Sequence, residues 1–286
     1  MPIKRRGCLV EAVAVEKTVV DDVVPRVAAL MPAYNPDEII NRAVESLAKS
    51  TYPCDIYIVD DGSDIPITQT LAAFPRTKVI RLDRNRGVAH ALNVGLETIL
   101  MQPYEFVARL DADDFSYPER IARQVEFLDR HPGIAAVGTW VRFTDEGTGR
   151  TLYISRTPDK PELVRKALNF NNVVVHPSVM IRTDVLKRVG LYSEQFPTAQ
   201  DYELFRRIAQ QFSIANIPSV LVDQRLSFRG VQLTRRRRQL FDRFRIQLRY
   251  FQVLALDAWI GLFKTLFLFL FPVSFIERIK EYKDSV

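Results

Sequence analysis

Glycine-rich phosphate loops are missing from this chain. No G-x-G-x-x-G follows its first apolar strand and no G-x-x-x-x-G-K-[ST] occurs anywhere, although 11 glycines stand among the 286 residues. A nucleotide bound here must have its phosphates neutralised by something other than a glycine cradle. Cysteine is nearly absent. Cys8 and Cys54 lie far apart with no C-x-x-C pair, which excludes a disulfide framework and a zinc finger and makes a reducing compartment the expectation. Long apolar runs are scarce too. The N-terminal "MPIKRRGCLVEAVAVEK" starts basic, but Glu11 and Glu16 interrupt it, so no signal peptide is read there. Residues 1–24 are expected to lie outside the core. No internal repeat and no low-complexity linker breaks the chain.

What is present is a hydrophobic fraction of 47%, enough for one large α/β domain, alone or with an appendage. The net charge of +6 invites anionic partners. The excess is concentrated late: "TRRRRQLFDRFRIQLR", Thr234 to Arg249, holds one acid among its arginines.

Apolar strands alternate with helical periodicity through the first half. "RVAALMPAYN" reads as a strand, and Asn35-Pro36-Asp37-Glu38 as a helix start with Asn35 capping and Pro36 at the first helical position. Further strands are "DIYIVDDGSD" (Asp55 to Asp64), "KVIRLD" (Lys78 to Asp83) and "EFVARLDADD". Helices follow from Gly87 and through Ile121, Val125 and Leu128, the latter stopping at His131-Pro132. Alternation of this kind implies a parallel sheet flanked by helices on both faces. Ligands of such sheets bind at the carboxyl ends of the strands. Four polar clusters fall there: "PAYN", "DDGSD", "DRNRG" and "DADD". In the second half "AAVGTWVRF", "TLYI" and "NNVVVHPSVMIR" (Asn171 to Arg182) read as strands, "TDVLKRVG" as a short helix ending at Gly190, and "QDYELFRRIAQQF" as a helix.

Asp111, Asp113 and Asp114 crowd one strand end. Two acids separated by one residue there project to the same side. Mg²⁺ and Mn²⁺ take carboxylate oxygens and keep positions for phosphate oxygens. A lone D-x-D is more often a solvated turn; beside three other clusters the metal reading is preferred. In "DDGSD", ordinary turn chemistry competes with Asp60 and Asp61 accepting hydrogen bonds from a nucleobase or ribose.

"PAYN", "VDDGSD", "DRNRGVAHALNVGL", "RLDADD" and "AQDYEL", in that order and at these spacings, resemble the family 2 glycosyltransferases of GT-A fold, over about Val27 to Asp223. The local likeness is to enzymes that assemble bacterial surface polysaccharide. The resemblance implies a mostly parallel Rossmann-like sheet flanked by helices. It divides the chain into an extension (1–24), a GT-A domain (25–225) and a helical tail (226–286). It implies an inverting, metal-dependent transfer from a nucleoside-diphosphate sugar to a glycan or lipid-linked acceptor, at the cytoplasmic face of the membrane. Pro32 and Tyr34 would line the base pocket, Asp60 and Asp61 would contact base or ribose, and Arg84 and Asn85 would lie beside the nucleotide. Asp111 would contact the sugar-nucleotide, Asp113 would ligate Mg²⁺ or Mn²⁺, and Asp201 would be the catalytic base. Gln200 stands where the family usually has an acid, which alters the electrostatic setting of Asp201. His176, in "HPS", is divided between a role in the site and one in the core. Ser227 stands where a "YR-x-H" histidine would be, leaving Arg225 to supply part of that contact.

The tail carries "WIGLFKTLFLFLFPVSFI", Trp259 to Ile276, broken by Lys264 and Pro272. It is close to the minimum of about 20 residues for a membrane span. An interfacial helix beside anionic lipid is preferred over a buried helix or dimer contact. The arginine run has no aromatic platform or docking motif for nucleic acid. Two other functions compete with the transferase. A sugar nucleotidyltransferase expects a Gly-rich basic loop that "MPAYNPDE" does not offer, and a non-catalytic membrane-binding module rests on the tail alone.

Overall fold

The computed structural model describes residues 25–72, 74, 76–226 and 231–270. The expectations for the N-terminal extension, Cys8, Ser227 and residues 271–286 lie outside these. The chain runs β1 (Val27–Ala33), α1 (Ile39–Ala48), β2 (Cys54–Asp60), α2 (Ile67–Thr70), β3 (Thr77–Arg81), α3 (Val88–Leu100), β4 (Phe106–Arg109), β5 (Phe115–Ser116) and α4 (Arg120–Arg130). It continues with β6 (Ile134–Asp145), β7 (Thr151–Ser155), α5 (Pro161–Ala167), β8 (Met180–Arg182), α6 (Thr183–Val189), α7 (Gln200–Gln211), β9 (Ser213–Leu226), α8 (Val231–Arg249) and α9 (Leu256–Leu270).

One sheet of nine strands runs β3-β2-β1-β4-β8-β6-β9-β5, with β7 on β6. The first four are parallel, Ala33 pairing with Asp60 and Asp60 with Arg81. All four polar loops therefore leave the same edge. Beyond β4 the sheet is mixed: β8 is antiparallel to both β4 and β6, while β6 and β9 are parallel. Two apolar clusters cover the two faces. One is built on Leu30, Val59 and Leu92 with Phe205 and Ile208, the other on Met31, Ile58 and Val44 with Ile121. Burial of these faces is the main stabilising term, about 25 cal/mol per Å² of apolar surface.

Two local expectations need correction, and one strand was not expected. Asn35 does not cap α1, which starts at Ile39. Asn35 has φ +44°, and its amide donates to Asp64 (3.0 Å) while accepting from the Asp64 N–H (2.8 Å). A short amide tolerates this left-handed conformation because it finds a local partner. The expected strand over Asn171 to Arg182 survives only as Met180–Arg182. Pro177 cannot donate to a ladder, and His176–Ser178 turns as a 3₁₀ helix. Conversely, β9 begins well before its recognisable end. Asn216 and Pro218 break its alternation, yet Pro218 sits where the register with β6 shifts, between the Thr139–Ile217 and Trp140–Val220 pairs, a bulge that needs no N–H there. Among the described residues no helix is long and apolar enough to cross a membrane.

Candidate active site

The first two rim loops are tied to each other and to the third. Gly62 has φ +70°, and a Cβ on it would strike the backbone of Arg84 and Asn85, so the second and third loops touch main chain to main chain. Asp61 is buried and accepts from the backbone N–H groups of Arg86 and Gly87, both at 2.8 Å. It shapes the third loop and leaves Arg84 and Asn85 exposed. Asp60 is also buried. Its carboxylate takes N–H groups from Ser63 (2.9 Å) and Ile67 (3.2 Å) and a guanidinium bond from Arg81 (2.5 Å). The capacity expected to meet a base or ribose is thus already used by the loop itself. Pro32 is buried in β1, and Tyr34 is 50% exposed at the rim.

The acids of the fourth loop divide. Asp111 is half-buried and held by Arg109 at 2.5 Å. Asp113 stands exposed on the wall of a cleft of about 480 Å³, with Arg42, Arg142, Asp223 and Arg225 on its other walls. Desolvation and the neighbouring Asp111 push its carboxyl up to about 6. Asp114 is buried, accepts from the Arg225 N–H at 3.0 Å through one oxygen, and has no partner on the other. Burial raises its carboxyl well above the ordinary range, with Asp111 and Asp113 adding to the shift. It joins β9 to the strand-end loop.

Arg109 lies beneath these acids, 3% exposed. Burial works against its charge, but Asp111, Tyr192 and Asp114 outweigh that and raise its pKa. Its Nε and Nη1 have no hydrogen-bond partner. Asp201, in the first turn of α7, accepts from Asn172 Nδ2 at 2.7 Å. Burial raises its carboxyl, opposed by backbone N–H groups of the helix start, Arg109 and Asn172. A helix N-terminus favours the ionised form. His176 shares a hydrogen bond of 2.8 Å with the Tyr192 hydroxyl and packs edge-on against Phe205. Burial, aided by Arg109, keeps it neutral, well below the usual imidazole range. His90, expected at solvent or a neighbouring turn, pairs with Glu194 at 2.9 Å.

The segments flanking Asp201 rest on the last two helices. Thr198 donates to Asp242 of α8 through its hydroxyl (2.6 Å) and backbone N–H (3.3 Å). Gln247 and Arg243 of α8 donate to the carbonyls of Asn169 and Phe170, and Asn169 donates to Asp257 of α9 at 2.8 Å. Arg109, Asn172, Tyr192 and Asp242 were not singled out by sequence reasoning. Only the arginine carried a signal, a charge placed inside an apolar strand.

No group of three or more metal-ligating side chains gathers among the described residues. That does not count against a phosphate-shared ion, since Mg²⁺ usually takes one or two carboxylates and fills its shell from substrate phosphates and water. Asp113, exposed and crowded by Asp111, fits that mode.

Residues 28–190 match the sequence profile of the family described as Glycosyl transferase family 2. The chain is 30% identical over 210 residues to the amylovoran biosynthesis glycosyltransferase AmsE of Erwinia amylovora, covering 69% of this chain and 75% of that one. It is 27% identical over 217 residues to the UDP-Gal:alpha-D-GlcNAc-diphosphoundecaprenol beta-1,3-galactosyltransferase of Escherichia coli, covering 72% and 76%. The mannosyltransferase PcManGT from Pyrobaculum calidifontis, solved with GDP-Man and Mn²⁺, has the same GT-A fold, with a TM-score of 0.61 over 85% of this chain and 69% of that one at 20% identity. Some relatives are longer: the chain spans 66% of an uncharacterized glycosyltransferase of Haemophilus influenzae and 38% of S. aureus TarS.

Proposed function

The chain belongs to glycosyl transferase family 2, and from that premise we propose that it transfers a sugar from a nucleoside-diphosphate donor to a glycan or lipid-linked acceptor, with inversion, in surface-polysaccharide assembly. The observation that carries this is the set of strand-end acids on one sheet edge, with Asp111 held by the buried Arg109 and Asp113 open to a cleft. The names of relatives that build amylovoran or extend a diphosphoundecaprenol-linked sugar support the pathway and acceptor class.

In this reading Pro32, Tyr34, Asp60 and Asp61 form the base and ribose side of the donor pocket, Asp60 and Asp61 through the loops they hold. Arg84 and Asn85 flank the nucleotide and Asp111 meets the sugar. Asp113 would hold Mg²⁺ or Mn²⁺ against the diphosphate, which would neutralise charge developing on the leaving group. Asp201 accepts the proton of the attacking acceptor hydroxyl, and Asn172 fixes the orientation of its carboxylate. A single base with direct attack from the face opposite the leaving group inverts the anomeric centre. Neutral His176 and Tyr192 form a polar wall beside it. Transfer would occur at the inner face of the cell membrane.

The test is transfer from UDP-, GDP- and dTDP-sugars with Mn²⁺, the donor first identified by thermal shift. Asp201→Asn should lower kcat by roughly 10²–10⁴-fold, the usual worth of a positioned base, with donor affinity kept. Asp113→Ala should remove the response to Mn²⁺. Full activity in either variant overturns its assigned role, and a retained anomeric configuration in the product overturns inversion.

A further inference from the structure

We propose that α8 and α9 form one docking surface for an anionic lipid bilayer and lie on it rather than crossing it. This deepens the membrane placement above by naming the surface and the lipid class.

The first observation is an exposed apolar stripe. On α9, Leu256, Trp259, Ile260 and Phe263 recur at helical spacing and are 39–74% exposed. Leu254, in the turn between the helices, is fully exposed. A water-facing helix does not carry such a stripe without a partner. Trp259 donates its indole N–H to the Val253 carbonyl at 3.0 Å and sits between Phe251 and Phe263. Aromatic rings of this kind settle at the headgroup level of a bilayer.

The second observation is the sorting of charge. The described side chains of the two helices include two carboxylates, and both face the protein: Asp242 is bound to Thr198 and Asp257 to Asn169. Every exposed charge among them is positive, namely Arg237, Arg238, Arg245, Arg249 and Lys264. A second copy of this chain would bring the same cations to the same face, and in a two-fold contact they would oppose one another. Anionic headgroups are complementary. Among the described residues no helix is long and apolar enough to cross a membrane, and a helix whose exposed positions are apolar and basic suits the plane of the interface.

The inner faces of the same helices hold the segments on either side of Asp201. Docking through these helices would therefore place the segments that carry the proposed base next to the membrane-bound face of the chain.

Co-sedimentation of the full chain with phosphatidylglycerol-containing vesicles, compared with pure phosphatidylcholine vesicles, tests this without donor or acceptor. A failure here therefore leaves the transfer reading standing, and a failure of transfer leaves this one. The chain should pellet with anionic vesicles and be released by salt. The triple variant Arg237→Gln, Arg238→Gln, Arg249→Gln should bind on the order of 100-fold more weakly, each cation contributing about fivefold. Leu254→Ser with Leu256→Ser should also weaken binding while keeping the wild-type unfolding temperature, since both side chains are well exposed. Three results would overturn the proposal: no vesicle binding, equal salt-insensitive binding to both lipids, or a dimer in sedimentation that Phe263→Ser abolishes while vesicles are ignored.

Discussion

Arg109 is buried and its guanidinium holds Asp111, the first of the strand-end acids. A charge-assisted bond to a carboxylate contributes about 1.5–3 kcal/mol, so Arg109→Met should reduce kcat/KM by roughly 10- to 100-fold. Arg109→Lys should restore part of it, which a purely apolar packing role would not show. His176 gives a stability prediction. In the folded protein burial holds it neutral far below its free value, whereas in the unfolded chain it takes a proton near pH 6.5. Below that pH the unfolded state binds the additional proton, so stability falls as pH falls, by up to about 1.4 kcal/mol per unit, and is unaffected above it. Asp113, Asp114 and Asp201, whose carboxyls burial raises, act in the opposite sense, so the check is differential: in chemical denaturation the wild type should lose more stability than His176→Gln between neutral and mildly acid pH. Neither residue's part was legible from its neighbours in sequence. An arginine in an apolar strand can point to solvent or to a site, and the choice depends on Tyr192 and Asp201, roughly eighty to ninety residues away.

At the scale of elements, the rim loops act as one body because Gly62 lets the second loop touch the third. Gly62→Ala would combine a left-handed φ with a clash against the backbone of Arg84. It should cost more than about 1 kcal/mol of stability and weaken donor binding in calorimetry more than it lowers kcat. The α8 contacts predict the opposite split. Asp242→Ala and Gln247→Ala loosen the segments beside Asp201 without touching the donor rim. Each should lower kcat about 2- to 10-fold, the net worth of one or two hydrogen bonds, with donor affinity unchanged. The four clusters at strand ends were legible because acid, glycine and serine cannot continue a buried strand. The start of α1 was misread because Asn35 serves a partner in another loop, Asp64, and a local capping pattern cannot register that.

For the whole molecule, α8, which follows the expected boundary at 225/226, packs against what precedes it. Leu240 and Ile246 of α8 are buried, and Arg206 of α7 donates to the Tyr250 carbonyl just beyond α8. A chain ending at residue 226 should lose about 3 kcal/mol or more, as removal of buried aliphatic side chains does, and unfold roughly 6–10 °C lower in a thermal scan. An unchanged midpoint would restore the tail to a separate unit. By itself the sequence determined the alternation of strand and helix, the single polar edge, and the acids that stand there, since periodicity and turn chemistry act over a few residues. Tertiary structure decided which acids face outward, which arginine lies between them, that Asn172 and Asp242 support the proposed base, and that two basic, apolar helices close over its back. Those are contacts between distant segments, set by how helices pack on a mixed sheet, and no local pattern encodes that packing.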